Sequence, residues 1–133
     1  MADASTVVTA LIERGWTIAA GESVTAGLLT ATLADVPGCS AVLRGAVVAY
    51  QVDVKQALLQ VPEADLAAGV VSEPVALALA RGAARVLGAD VGIGTTGAAG
   101  PQSHDGTPAG TCWIAVTTPT GQHAQLLHLG GDR

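Results

Sequence analysis

The sequence predicts a three-layer α/β/α sandwich built on a mixed, mostly parallel five-stranded sheet. Apolar strand-like runs alternate with helix-period runs along most of the chain, which calls for crossover connections and helices on both faces of a parallel sheet. The last two strand-like runs are joined by the hairpin signal Pro119-Thr-Gly-Gln122, so at least one strand runs antiparallel. The 133 residues form a single domain spanning 1–133, long enough to bury roughly two-thirds of the unfolded surface. Half of them are hydrophobic and only 13% are charged, which excludes intrinsic disorder. There is no Phe, and Trp16, Trp113 and Tyr50 are the only aromatics, so alanine-rich helices must pack closely on a Val/Ile sheet.

In chain order, residues 4–14 read as a helix with Val7, Val8, Leu11 and Ile12 on one stripe, closed by Gly15. Residues 16–20 read as a short apolar strand, and Gly21-Glu22-Ser23 as a turn. Residues 25–34 read as a helix with Leu28, Leu29 and Leu33 inward, ending before Pro37-Gly38. A buried strand follows over 43–50, then short helices over 53–60 and 63–68. Ser72 caps a long helix with Pro74 in its first turn, Val75, Leu79, Val86 and Leu87 on the buried face, and Gly88 at its end. Arg81 and Arg85 fall on the solvated side of that helix. Residues 91–96 form a strand, 97–110 a loop rich in Gly and Pro, and 111–118 and 123–129 the closing hairpin. The chain stops just after a strand, at Gly131-Asp132-Arg133, so either a covering helix is missing or another chain covers that sheet face.

Composition narrows the function. The formal charge of −5 repels phosphate backbones and anionic membranes, so neither nucleic acid nor a membrane is the expected partner. A small phosphorylated ligand stays possible, because backbone N–H groups at helix N-termini bind phosphate without net positive charge. No apolar run reaches about 18 residues without Gly, Pro or charge, so no transmembrane helix is expected. The N-terminus carries Asp3 and no basic run, unlike a secretory leader. Cys39 and Cys112 form no CxxC and read as reduced thiols of a cytoplasmic protein. His104, His123 and His128 fit no zinc spacing, so no metal is expected.

Ligands of open α/β sheets bind at the carboxyl ends of the strands. Three segments fall there: Gly21 to Gly27, Tyr50 to Lys55, and Thr95 to Pro101. Each is weak alone. Ser23 could merely cap a helix, and Lys55 could sit exposed on a short one. Convergence of the three on one face is the stronger signal.

In that order the chain carries Glu22-Ser-Val-Thr-Ala-Gly27, Tyr50-x4-Lys55, Val71-Ser-Glu-Pro74, Thr96-Gly-Ala-Ala-Gly-Pro101, Gly110-Thr-Cys-Trp113 and Gly131-Asp-Arg133. Together these resemble the CinA C-terminal domain family, whose characterised members are nicotinamide mononucleotide deamidases. The resemblance spans nearly the whole chain and implies the same sandwich, with a final helix beyond Arg133 that this chain lacks. It implies hydrolysis of nicotinamide mononucleotide to nicotinic acid mononucleotide and ammonia, without metal or cofactor. Ser23 matches the nucleophile, and Lys55 and Tyr50 match its partner lysine and tyrosine. The substrate-binding residues are then Val24, Thr25, Ala26 and Gly27, with Thr96, Gly97, Ala98, Gly100 and Arg133, the last a candidate phosphate partner. A homodimer is expected from the same resemblance. The alternative is a nucleotide-binding or regulatory module of the same fold without catalysis. Three segments depart from the family pattern: Val24-Thr-Ala-Gly27 stands for Cys-Thr-Gly-Gly, Gln51-Val-Asp53 for Ser-Asn-Glu, and the 103–110 loop is about one residue short and lacks a lysine.

The serine–lysine chemistry has its own physical requirement. A serine hydroxyl is a poor nucleophile until a base takes its proton. Lys55, the only lysine, can be that base only when neutral, which near pH 7.4 means losing about 4 kcal/mol of its preference for a proton. Desolvation can supply that much, whereas a carboxylate beside the amine would oppose it, so Glu22 is expected to face elsewhere. Backbone N–H groups of Val24 to Ala26 are the candidate oxyanion donors.

Overall fold

The computed structural model describes residues 3–99 and 107–130. Eleven residues of helix α1 (Ala4–Arg14) lead into strand β1 (Ile18–Glu22) and helix α2 (Leu28–Ala34). A single 3-10 turn precedes β2 (Leu43–Val48), and helices α3 (Val52–Leu59), α4 (Glu63–Ala68) and α5 (Glu73–Leu87) follow. Strands β3 (Val91–Gly97), β4 (Thr111–Thr118) and β5 (Gly121–His128) complete the sheet.

The five strands lie in the order β2-β1-β3-β4-β5. The first three are parallel, and β3–β4 and β4–β5 are antiparallel, so β4 alone runs against the rest. The mixed sheet expected from the sequence is therefore present, with its pairings split evenly between the two types. Its hairpin is tighter than the turn signal suggests: Thr118 already pairs Gly121.

Successive residues of a strand face opposite sides, and this alternation builds two cores. Ile18 and Val91 pack with Val8, Leu11 and Leu33 of α1 and α2. Ala19 packs on the other side with Leu59, Leu66, Val75 and Leu79 of α3, α4 and α5. Helix α5 lies closest to the sheet, because glycines replace side chains beneath it. A Cβ on Gly21 would meet the Leu79 carbonyl oxygen at 2.7 Å, and Gly92 and Gly94 lie still closer to the Ala80 and Ala76 carbonyls. Ser72 caps α5 as expected: its hydroxyl accepts from Val75 N at 3.4 Å and donates to the Gly69 carbonyl at 2.7 Å.

Several boundaries differ from the sequence reading. Strand β1 runs to Glu22 instead of ending at Ala20, because Gly21 and Glu22 pair with Val47 and Val48 of β2 and with Gly94 and Thr95 of β3. Helix α2 starts at Leu28 instead of Thr25, since Ala26 and Gly27 both adopt positive φ, at 51° and 104°. The turn they make leaves Leu28 67% exposed, not inward, and Val86 of α5 is also exposed. No helix among the described residues is long and apolar enough to cross a membrane.

Candidate active site

Strand β1 delivers Ser23 to the carboxyl edge of the sheet, where β2 ends beside it and β3 on its other side. The Ser23 N–H donates to the Thr95 carbonyl at 3.2 Å and to Thr95 Oγ1 at 3.3 Å. Its side chain is 7% exposed, and among the described residues its hydroxyl makes no hydrogen bond.

Lys55, on the second turn of α3, is only 1% exposed and is the largest of the fully buried side chains. Its Nζ donates to the Tyr50 carbonyl oxygen at 2.7 Å. Burial lowers its pKa below the ordinary 10.5, since desolvation penalises the charged form. An ammonium carries three donors, and a single carbonyl leaves such a group poorly satisfied in a dry setting, whereas a neutral amine needs less. Tyr50 is half exposed, and the bond it gives Lys55 runs through its backbone oxygen. The structure shows no hydrogen bond between Lys55 Nζ and Ser23 Oγ. Catalytic hydrogen bonds of this kind commonly tighten only in the substrate complex.

Glu22 faces away from Lys55, as expected from the sequence. Fully buried, its carboxylate collects bonds, among the described residues, only from 25–30: Oε1 accepts from Thr25 Oγ1, Gly27 N and Leu29 N, and Oε2 from the Thr30 N–H and hydroxyl. Burial alone would raise its pKa, but the bonds from Thr25, Thr30 and Leu29 prevail and hold it below the ordinary 4.5. The α2 N-terminus is therefore already occupied by an anion of the protein's own, which argues against a ligand phosphate there. Sequence reading placed Glu22 in a turn and missed this role. The available signal was two threonines, at positions 25 and 30, following a carboxylate at a strand end.

The candidate binding residues divide. Val24, Thr25 and Ala98 line a cavity of ≈ 290 Å³, together with Ala99, Cys112 and Leu129 among others. Ser23, Tyr50 and Lys55 do not line it. Cys112, read from the sequence as a reduced thiol and not as a binding residue, has its thiol pKa raised by burial, which disfavours the thiolate. Ala26 N donates to the Ser23 carbonyl at 3.1 Å and so leaves the set of oxyanion donors, while the Val24 and Thr25 N–H groups meet no acceptor among the described residues. Gly27 caps α2 in a left-handed conformation. Thr96 Oγ1 donates to the Val70 carbonyl at 2.9 Å, anchoring the α4–α5 connection. At Gly97 a Cβ would meet the Thr111 carbonyl oxygen at 2.7 Å and Val24 Cγ1 at 3.1 Å, so protein already fills the close approach that glycine permits there. Gly100 and Arg133 lie outside the described residues.

Comparison with known proteins follows the same outline. The model of the CinA C-terminal domain matches residues 2–133. A CinA-like protein of Frankia casuarinae is 46% identical over 124 residues, covering 92% of this chain and 29% of that protein. A CinA-like protein of Anaeromyxobacter dehalogenans is 50% identical over 131 residues, 96% of this chain and 32% of that one. The chain thus spans under a third of these curated relatives. Among solved structures, a competence-damaged protein (CinA) superfamily protein from Klebsiella pneumoniae superposes with a TM-score of 0.91 at 36% identity, covering 97% of this chain and 82% of that one. One from Escherichia coli gives 0.92 at 32% identity, covering 97% and 76%.

Proposed function

The chain belongs to the CinA C-terminal domain family, and from that premise we propose that it is an amidohydrolase that deamidates nicotinamide mononucleotide, a step of pyridine nucleotide salvage, through Ser23 and Lys55. The observation that carries the proposal is the sole lysine, buried to 1% exposure, bonded to a neutral carbonyl and held below its ordinary pKa.

The chemistry then proceeds in two halves. Ser23 Oγ attacks the carboxamide carbon as Lys55 Nζ takes the hydroxyl proton. The Val24 and Thr25 N–H groups receive the developing oxyanion, each worth about 3 kcal/mol. Lys55 returns the proton to the amide nitrogen, which leaves as ammonia. Water, deprotonated by the same amine, then attacks the acyl-serine; the C–Oγ bond breaks, Lys55 returns that proton to Ser23 Oγ, and the carboxylic acid is released. Tyr50, through its carbonyl, holds the amine at the mouth of α3. This reading puts the substrate in the cavity bordered by Val24, Thr25 and Ala98, the first two of which follow Ser23 directly in the chain.

The test is ammonia release from nicotinamide mononucleotide by the wild-type chain, Ser23→Ala and Lys55→Ala. Turnover abolished in both variants supports the reading. Ligand binding without turnover, or turnover that survives Ser23→Ala, favours a nucleotide-binding module instead. The reading also carries a homodimer, checked by sedimentation-equilibrium molecular weight, and a cytoplasmic site of action, consistent with two free, buried cysteines.

A further inference from the structure

The hydroxyls beside Ser23 form a chain whose direction can be worked out atom by atom. The Glu22 carboxylate faces three backbone N–H groups and two hydroxyls, so it is an acceptor throughout and ionised. Thr25 has one hydroxyl proton and gives it to Glu22 Oε1. In the 2.8 Å contact between Thr25 Oγ1 and Thr95 Oγ1, the proton must then come from Thr95. Thr95 in turn accepts the Ser23 N–H, through Oγ1 and through its carbonyl. The order is fixed from end to end: Ser23 N–H, Thr95 O–H, Thr25 O–H, Glu22 carboxylate.

We propose that Thr95 and Glu22 are positioning residues, which pin the backbone of the Ser23 turn through this one-directional chain and so hold the serine and its neighbouring N–H donors in place. Thr95 is fully buried and its hydroxyl is used twice. Each hydrogen bond polarises the next toward the anion, so the chain is stiffer than its members taken singly. A chain ending in a neutral group has no such preferred direction and can invert. The turn it stabilises is otherwise an unfavourable one, since Ala26 carries a side chain at φ 51°. As catalysis is the property being positioned for, the inference rests on the amidase reading.

The experiment uses the full chain with Thr95→Val, Thr95→Ser and Glu22→Gln. Valine nearly matches threonine in shape, but its side chain neither accepts from Ser23 nor donates to Thr25 and leaves the Ser23 N–H only the backbone carbonyl at 3.2 Å, whereas serine keeps both side-chain bonds. With nicotinamide mononucleotide as substrate, Thr95→Val is expected to lower kcat roughly 10²-fold while KM stays within about twofold, as for a displaced catalytic group. Thr95→Ser is expected to recover most of kcat, and Glu22→Gln to fall on the Thr95→Val side. Unchanged kcat in Thr95→Val overturns the proposal, as does equal loss in Thr95→Val and Thr95→Ser, which would mark a packing role of the γ-methyl.

Backbone amide exchange by NMR makes the outcome independent of turnover. The Ser23 amide is expected to exchange at least about tenfold faster in Thr95→Val and in Glu22→Gln, while Ala19 and Ala20 stay protected. Unaltered Ser23 exchange overturns the positioning role even where the wild type is active. A wild type that releases no ammonia sinks the amidase reading instead, and the exchange data then decide whether the chain pins the turn. Should Thr95→Val fail to fold, Glu22→Gln gives the same two readouts, with Thr95→Ser as the variant in which both are expected to stay near wild type.

Discussion

Replacing Lys55 with Met isolates the property on which the mechanism depends. Methionine keeps a long unbranched side chain in α3 and deletes the amine. In the folded chain, burial lowers the Lys55 pKa from 10.5. Between that lowered value and 10.5, the unfolded chain holds a proton at this site that the folded chain has released. Stability therefore rises with pH across the window, by at most about 1.4 kcal/mol per pH unit for one proton. Below the folded pKa the burial penalty is present in full and the slope vanishes; above 10.5 both states are neutral and the penalty is gone. A base active near neutrality requires the window to be open already at about pH 7. Urea denaturation between about pH 7 and about pH 8.5 should then show the wild type gaining up to roughly 2 kcal/mol relative to Lys55→Met. The comparison cancels other groups, including Cys112, whose raised thiol pKa acts in the opposite direction only above 9.0. Loss of the 2.7 Å bond to the Tyr50 carbonyl costs the variant about 1 kcal/mol at every pH, which offsets its curve without tilting it. Two parallel curves would mean that the amine stays protonated in the folded chain, and the general-base role would fall with them.

Three further outcomes follow from the same geometry. Lys55→Arg should release no ammonia, as in Lys55→Ala, because a guanidinium cannot give up its proton; measurable turnover would remove Lys55 from the role of base. Gly21→Ala places a methyl 2.7 Å from the Leu79 carbonyl oxygen, where about 3.3 Å is the closest comfortable approach, so the β1–α5 spacing must open and the chain should lose about 1–3 kcal/mol in urea denaturation, with no loss expected if that contact is relaxed in solution. Ala26→Gly relieves a side chain at φ 51° and should leave stability unchanged or raise it by up to about 1 kcal/mol; a loss would show that the Ala26 methyl makes a contact worth more than its strain.

The sequence disclosed what depends on local pattern. Ser72, Pro74 and Gly88 mark the ends of α5 because capping and proline sterics act within a few residues. The convergence of the three segments was legible because each follows a strand, and parallel strands end on one side. The start of α2 was not legible: Thr25 to Gly27 has helical neighbours, but a carboxylate from the preceding strand captures the N–H groups of Gly27, Leu29 and Thr30 and delays the first helical turn. Glu22 itself was assigned to a turn because a charged residue after Ala-Ala-Gly resembles a strand exit, and the threonines at 25 and 30 announce only two of its five donors, the other three being backbone N–H groups. Leu28 was expected inward from its period, yet the helix begins at that residue and presents it to solvent.

The two ionisable groups at this edge depend on the period of a strand to keep them apart. Glu22 points to the α2 side of the sheet. Its predecessor Gly21 faces Leu59 of α3 and Leu79 of α5, the layer that carries Lys55. A one-residue slip of β1 would exchange these faces and bring a carboxylate to the lysine's layer. An opposite charge within a few ångströms favours the ammonium and would cancel the effect of burial. The sheet thus serves as a partition: the anion bonded to the serine turn sits on one side, and the amine that the proposed mechanism needs uncharged sits on the other. Ser23, one residue past the strand, is joined to the anion's hydrogen bonds through Thr25 and Thr95, whose hydroxyls carry the ordering influence proposed for it.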